Sequence, residues 1–185
     1  MAEFLCALHK TLKHEGGYSN HELDRGGETW RGISRNAHPN WPGWAFIDAQ
    51  ISRRRPLVEL DDNDALEQLV EAFYLENYWR PLQLDQVADQ EIADELFDSA
   101  VNCGTFRAAK WLQGALNLVA GSEALKLDGK IGPRTLGLLG SCLPKYARAI
   151  LVALNGFQFD HYVQLVQGNP TQRVFLRGWL NRVRF

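Results

Sequence analysis

The stretch HEGGYSNHELDRGGETWRGIS, residues 14–34, marks where one kind of backbone gives way to another. Upstream of it, Phe4 or Leu5, Leu8 and Leu12 recur at helical spacing, which predicts a helix over residues 2–14. Gly16 and Gly17 stop that helix, since either can take the left-handed conformation of a C-cap. Three more glycines follow, with Thr29, Trp30 and Ile33 as the only strand-forming residues between them. That composition fits a short, irregular β-hairpin.

Downstream, NAHPNWPGWAFIDAQ, residues 36–50, is interrupted by prolines and a glycine, and is expected to be a loop or short turns. From residue 61 onward helices dominate. Asp61 is placed to cap a helix carrying Leu66, Leu69, Val70, Phe73 and Tyr74, with Asp64 in its first turn and Pro81 beyond its end. Further helices are expected near 90–102, closed by Gly104, and over about 105–118. Another opens at Pro133, a residue suited to the first helical position. A long one is expected to open at Pro144 and run to about 167, with Gly168 closing it and Asn169-Pro170 starting the last. The fold class is mainly α, with one small β-hairpin near the N-terminus. At 185 residues the length prior is one domain or a domain with a small appendage. No repeat or low-complexity tract divides the chain.

Composition bounds the function. The net charge of −2 conceals an asymmetry: residues 1–128 carry 12 Lys and Arg against 21 Asp and Glu, whereas residues 129–185 carry 8 against 1. The basic end points to an anionic partner, or to attraction between the two halves. The three cysteines, Cys6, Cys103 and Cys142, match no zinc or redox spacing; Cys6 and Cys103 sit in apolar helical runs and are expected in the core. The N-terminus lacks the features of a signal peptide, and no stretch approaches the ~20 apolar residues of a membrane span. Synthesis in the cytoplasm is therefore expected.

The chemistry concentrates in residues 14–34. Glu15 is expected on the last turn of the first helix, where unpaired carbonyls and the negative end of the dipole disfavour a carboxylate and raise its pKa. A glutamate that keeps its proton near neutral pH is a general acid, and the adjacent glycines leave room for a bulky substrate. Asp24 lies in the glycine-flanked polar turn LDRGGET, a solvated setting that keeps an aspartate ionised. Two carboxyl groups with pKa values pushed apart suit glycoside hydrolysis. Thr29 is placed to help hold a water near Asp24. Taken singly, the same residues also make an ordinary hairpin turn.

As a set they resemble the motif of glycoside hydrolase family 108, the muramidases of phage endolysins and bacterial "secretion activator" proteins. The likeness runs through Glu15-Gly16-Gly17-Tyr18, Asp24-Arg25-Gly26-Gly27-Glu28-Thr29 and Gly32-Ile33. It continues in NYWRPLQLD (77–85), LFDSAVNCG (96–104), LKLDGKIGPRTLGLL (125–139) and FLRGWLNRV (175–183), so it covers essentially the whole chain. It implies a lysozyme-like helical catalytic region over 1–105 and a peptidoglycan-binding-like helical region over 106–185, packed as one compact unit. Glu15 matches the family's catalytic glutamate. Similarity to phage-type lysozymes assigns Asp24 and Thr29, although the Asp-to-Thr spacing here is one residue shorter; Asp98 and Glu28 remain alternatives for the second carboxyl. Tyr18, Tyr78 and Asn102 are the expected substrate contacts. The implied activity is cleavage of the β-1,4 bond between N-acetylmuramic acid and N-acetylglucosamine, without a cofactor. The implied setting is a monomer that reaches the periplasmic wall after holin-mediated release or lysis.

Other constellations compete. His9, His14 and His21 cluster around Glu15 without the H-E-x-x-H spacing a zinc hydrolase needs, so no metal is expected. DGKIGPRT (128–135) is either a wall-binding element or simply a stable turn before a helix. On a helical wheel of residues 172–185, Arg173, Arg177 and Arg184 fall within about 40° of one another. Phe175, Leu176, Trp179, Leu180 and Val183 lie opposite. This segment packs on a core or meets anionic outer-membrane lipid or wall polymer. A lytic transglycosylase and a non-catalytic wall-binding protein are the rival functions. Nucleic acid is not an expected partner, because acidic residues surround the one helix–turn–helix pattern.

Overall fold

The computed structural model describes residues 1–13, 17–20 and 27–183. The chain divides into two compact units, Leu8–Asn77, and Met1–Ala7 together with Tyr78–Phe185. The fold is mainly α with a small antiparallel sheet near the N-terminus, as the sequence implied.

In the Leu8–Asn77 unit, the end of α1 (Phe4–Leu12) leads to a sheet of three two-residue strands, β1 (Tyr18–Ser19), β2 (Thr29–Trp30) and β3 (Ile33–Ser34), in that order. The expected hairpin is thus two consecutive hairpins. Trp30 pairs with Ile33 around Arg31-Gly32, both at positive φ (44° and 81°). That is the signature of a type I′ turn, whose twist matches that of paired strands. The conformation is unfavourable for Arg31 and is held from outside: its carbonyl accepts from the Tyr74 hydroxyl at 2.6 Å, and its guanidinium pairs with Glu67. Trp30, Ile33, Ile47, Leu66, Val70 and Tyr74, each at most 1% exposed, form the core.

Residues 44–52, expected largely as loop, form helix α2 (Trp44–Ser52). Pro42 and Gly43 precede the helix and do not interrupt it, and nothing within it breaks helical backbone. Gly43 has a steric role, since a Cβ there would lie 2.1 Å from the Trp41 ring. Trp41 and Trp44 meet edge to face at 5.2 Å and donate to the carbonyls of Leu69 and His38. Helix α3 (Asp64–Tyr74) is capped by Asn63, whose side chain accepts from Leu66 N at 2.9 Å, and not by Asp61. It continues as a single π-type turn, Leu75–Trp79.

The other unit is built on α4 (Gln90–Cys103), α5 (Thr105–Ala120) and α6 (Pro133–Gly168), which pack on one another, and on α7 (Arg173–Leu180). Asp89 caps α4, and Gly104, at φ +89°, turns the chain into α5. Phe4 packs edge to face on Trp79 and Phe97 at 5.5 and 5.9 Å. Pro144 does not open a helix. It lies inside the 36-residue α6. Pro144 and Gly140 are both exposed, so the carbonyl of Gly140, deprived of its usual donor, faces water, and the cost of an interior proline is lowered. An 18-residue window of α6 reaches a mean hydropathy of 1.3, so the helix is long and apolar enough to cross a membrane by length and composition alone. It buries Leu139, Ile150, Leu154, Tyr162 and Val166. Cys6, expected in the core, is exposed; Cys103 is half-buried and Cys142 buried, and all three are free thiols. No residue of α7 is fully buried: Trp179 stacks on Tyr162 at 5.4 Å, while Val174 and Phe175 are 77% and 53% exposed.

Candidate functional site

Glu15, Asp24 and Arg184 lie outside the described residues, and so does the expected placement of Glu15 on the last turn of α1. Tyr18 pairs with Trp30, and Thr29 stands opposite Ser19 on one side and Ser34 on the other. The Tyr18 hydroxyl donates to Glu28 Oε1 at 3.1 Å, and Glu28 Oε2 is ion-paired with Arg35 Nε. Arg35 also donates twice to Asp48, at 2.6 and 3.2 Å, and lies over the Trp44 ring at 4.3 Å. Burial, then the Glu28 carboxylate, pushes the Tyr18 phenol up; the Asp48 hydrogen bonds raise Arg35. Both oxygens of Glu28 are therefore engaged, which leaves it poorly placed to serve as a catalytic base. The Trp30 indole N–H is buried and finds no acceptor among the described residues.

Tyr78 and Asn102 belong to the other unit. Tyr78 is half-buried in the π-type turn. Asn102 Oδ1 accepts from the Tyr162 hydroxyl at 2.9 Å and contacts Cys103 Sγ at 3.5 Å. Asp98, the other alternative carboxyl, accepts from Arg182 Nη1 at 2.7 Å and from Gln158 Nε2 at 3.4 Å. Gln158 Nε2 also reaches Ser99 Oγ, which donates to Glu95 at 3.2 Å. Desolvation raises the Cys103 thiol to about 11 and pushes Tyr162 far above its ordinary value, so neither ionises at neutral pH. Sequence reasoning did not find this network. Its trace was present: Asp98 and Asn102 are four apart on one helix, and Gln158 and Tyr162 are four apart on another. Arg182, which the sequence reading did not single out, is 7% exposed.

The DGKIG turn is held by α5. Gln113, 2% exposed, donates to Asp128 Oδ1 at 2.8 Å and to the Lys130 carbonyl at 2.9 Å, and accepts from Gly129 N at 3.0 Å. The Gln113 hydrogen bond, then one that Asp128 accepts from Lys130 N at 3.0 Å, hold the Asp128 carboxyl below its usual value. Gly129, at φ +72°, is required twice over, because a Cβ would also lie 2.3 Å from the Phe106 ring. The polar groups of this turn serve the fold. Arg173 and Arg177 are exposed on α7. Among the described residues, no group of three or more His, Cys, Asp or Glu is placed to hold a metal ion.

Comparison with known proteins supports a hydrolase related to peptidoglycan, on two family matches and a solved structure. The family model described as Glycosyl hydrolase 108 matches residues 8–104, and the chain belongs to that family. A second model, described as Predicted Peptidoglycan domain, matches residues 107–184. Among solved structures, the Brucella abortus SagA structure is similar at a TM-score of 0.64 and 26% identity, covering 97% of this chain and 88% of that one. No curated protein matches the chain.

Proposed function

We propose that the protein is an N-acetylmuramidase that hydrolyses the β-1,4 bond between N-acetylmuramic acid and N-acetylglucosamine. The observation that carries this reading is the Glycosyl hydrolase 108 match over residues 8–104, which contains Glu15 and Asp24, followed by the peptidoglycan match over 107–184. In this reading Glu15 protonates the glycosidic oxygen, and Asp24 guides a water to the anomeric carbon, with Thr29 helping to hold it. An inverting enzyme of this kind needs its carboxyl groups roughly 6.5–9.5 Å apart, against about 5–5.5 Å for retention. Tyr18, Tyr78 and Asn102 contact the glycan. Residues 1–105 form the catalytic region and 106–185 the wall-binding region. The enzyme works as a monomer on the wall after release from the cytoplasm, and Arg173, Arg177 and Arg184 of the C-terminal segment meet anionic lipid or wall polymer.

The engagement of Glu28 by Tyr18 and Arg35, and of Asp98 by Arg182, supports Asp24 over either as the second carboxyl. Digestion of purified peptidoglycan, followed by analysis of the new sugar ends, tests the reaction. Hydrolysis gives a reducing N-acetylmuramic acid; a 1,6-anhydro end would make the enzyme a lytic transglycosylase. Reducing N-acetylglucosamine ends would place the cut at the other glycosidic bond.

A further inference from the structure

Two adjoining hollows of about 530 and 1070 Å³ lie along α5 and α6. They meet at Gly114, Leu127 and Phe157, which line both, and together form one groove. The first hollow is built from two matched helical stripes at i, i+3, i+4 and i+7. Arg107, Lys110, Trp111 and Gly114 come from α5; Phe157, Asp160, His161 and Gln164 come from α6. The second hollow adds Lys126 and Arg134 to Glu123. Four cations and two acids thus line a trough of mixed polar and apolar side chains.

Arg134 donates to the Ala124 carbonyl at 2.9 Å and Lys126 lies in the field of Asp128, whereas Arg107 and Lys110 are not neutralised by any described acid. Arg107 donates one N–H to the Cys103 carbonyl at 2.6 Å, and Lys110 lies 5.6 Å from the Phe106 ring; neither forms an ion pair among the described residues. Asp160 is engaged along its own helix by Gln164 at 2.6 Å. Phe106 and Leu127 are 61% and 48% exposed, large apolar surfaces left at the rim. Gly114 opens the floor. A Cβ there would already touch Leu127 and Phe157 at 3.4 Å, so any longer side chain would fill the junction. Glycine inside a helix costs about 1 kcal/mol relative to alanine, and here its absent side chain is what joins the two hollows.

From this we infer that the groove binds the carboxylate-bearing peptide stem of peptidoglycan, not the sugar backbone. The inference rests on peptidoglycan as the substrate. In the intact polymer the carboxyl of the sugar's lactyl group is consumed in the amide to the peptide, so the free negative charge resides on the stem. Its short, mixed apolar and acidic chain matches a trough with aromatic walls and guanidinium and ammonium groups at intervals. Arg107 and Lys110 hold a stem carboxylate at one end, Lys126 and Arg134 a second at the other. Phe106, Leu127 and Phe157 cover the apolar side chains between.

The test is calorimetric binding to the full-length Glu15→Gln protein, which keeps the ligand intact. The probes are a soluble disaccharide–tetrapeptide, the same compound with its carboxyls amidated, and glycan oligomers freed of peptide whose lactyl carboxyls are capped as simple amides. The expected result is that the Arg107→Glu/Lys110→Glu variant weakens binding of the acidic probe at least about tenfold, the size of one charge-assisted contact. Its affinity for peptide-free glycan should not change, and amidation should weaken binding to the parent protein similarly. Gly114→Val should reduce binding of the acidic probe by blocking the junction. Should that variant misfold by circular dichroism, the charge-reversal variant, which alters only side chains on the groove's flank, still decides. An unchanged affinity in that variant overturns the proposal. Equal loss for peptide-free glycan would assign the groove to sugar instead. If Glu15→Gln keeps full lytic activity while the binding pattern holds, the catalytic reading fails and the groove assignment stands.

Discussion

The Leu8–Asn77 unit and the helical unit hold themselves together by different means. The first has three two-residue strands and short helices, fixed by side-chain pairs: Tyr74 on Arg31, Arg35 between Glu28 and Asp48, Trp41 against Gly43. The second rests on helix-on-helix burial around Leu96, Phe97, Leu112 and Leu154, crossed by one polar network from Glu95 to Arg182. The two carboxyl groups proposed for catalysis, Glu15 and Asp24, fall by sequence within the span of the first unit, and loops are where binding and catalytic residues concentrate. The lesson is that substitution of the proposed carboxyl groups should cost function and spare stability, whereas substitution of the packing contacts of either unit should cost stability.

The largest expected effect is Glu15→Gln, which should lower turnover on purified peptidoglycan by about 10²–10⁴-fold while leaving the thermal midpoint where it was. Retained turnover would remove Glu15 as the acid. Next is Asp98→Ala, which removes the carboxylate paired with the 7%-exposed Arg182 and should cost about 3 kcal/mol in denaturant unfolding. A loss below about 0.5 kcal/mol would show the network to be incidental. Gly43→Ala forces a Cβ into the Trp41 ring and should cost roughly 1–3 kcal/mol. Since glycine itself weakens a helix end only slightly, a gain in stability would mean Trp41 can swing away freely. Pro144→Ala should act in the opposite direction, stabilising by up to about 3 kcal/mol because it restores the bond to Gly140 in α6. A loss would show that the helix needs its proline. The smallest effect concerns His161, whose pKa burial and then Arg107 hold below 6.5. The unfolded chain binds that proton more readily, so stability from the neutral ring is complete above pH 6.5 and is lost as pH falls through the lower, folded value. Comparing His161→Gln with the parent across pH 5–7 reads this; parallel curves would contradict it.

How much of this was visible in the sequence follows from the same contrast. Helices α3, α4 and α5 were legible in their extent because apolar periodicity marks α3 and α4 and Gly104 separates α4 from α5, although the cap of α3 is Asn63 where Asp61 was expected. Helix α2 was hidden because Trp41, Pro42 and Gly43 read as loop chemistry, when their ring-over-glycine contact prepares the helix start. The unbroken α6 was hidden because Pro144 is a reliable stop only where its orphaned carbonyl would be buried. At the site, Glu15 and Asp24 could be singled out by motif, since glycine-flanked carboxylates leave a local signature. The ties from Tyr18 and Arg35 to Glu28, and from Arg182 to Asp98, span 10, 7 and 84 positions and leave none in a single sequence.

The Asp98–Arg182 pair bears on how such enzymes are assembled. Its carboxylate belongs to the segment matched as Glycosyl hydrolase 108, and its cation to the segment matched as Predicted Peptidoglycan domain. A recombinant chimera joined near residue 105, taking each half from a different relative, would inherit one member of the couple without its counterion. Shuffling these parts therefore demands that both positions travel together, a constraint on lineage mixing that neither segment reveals by itself.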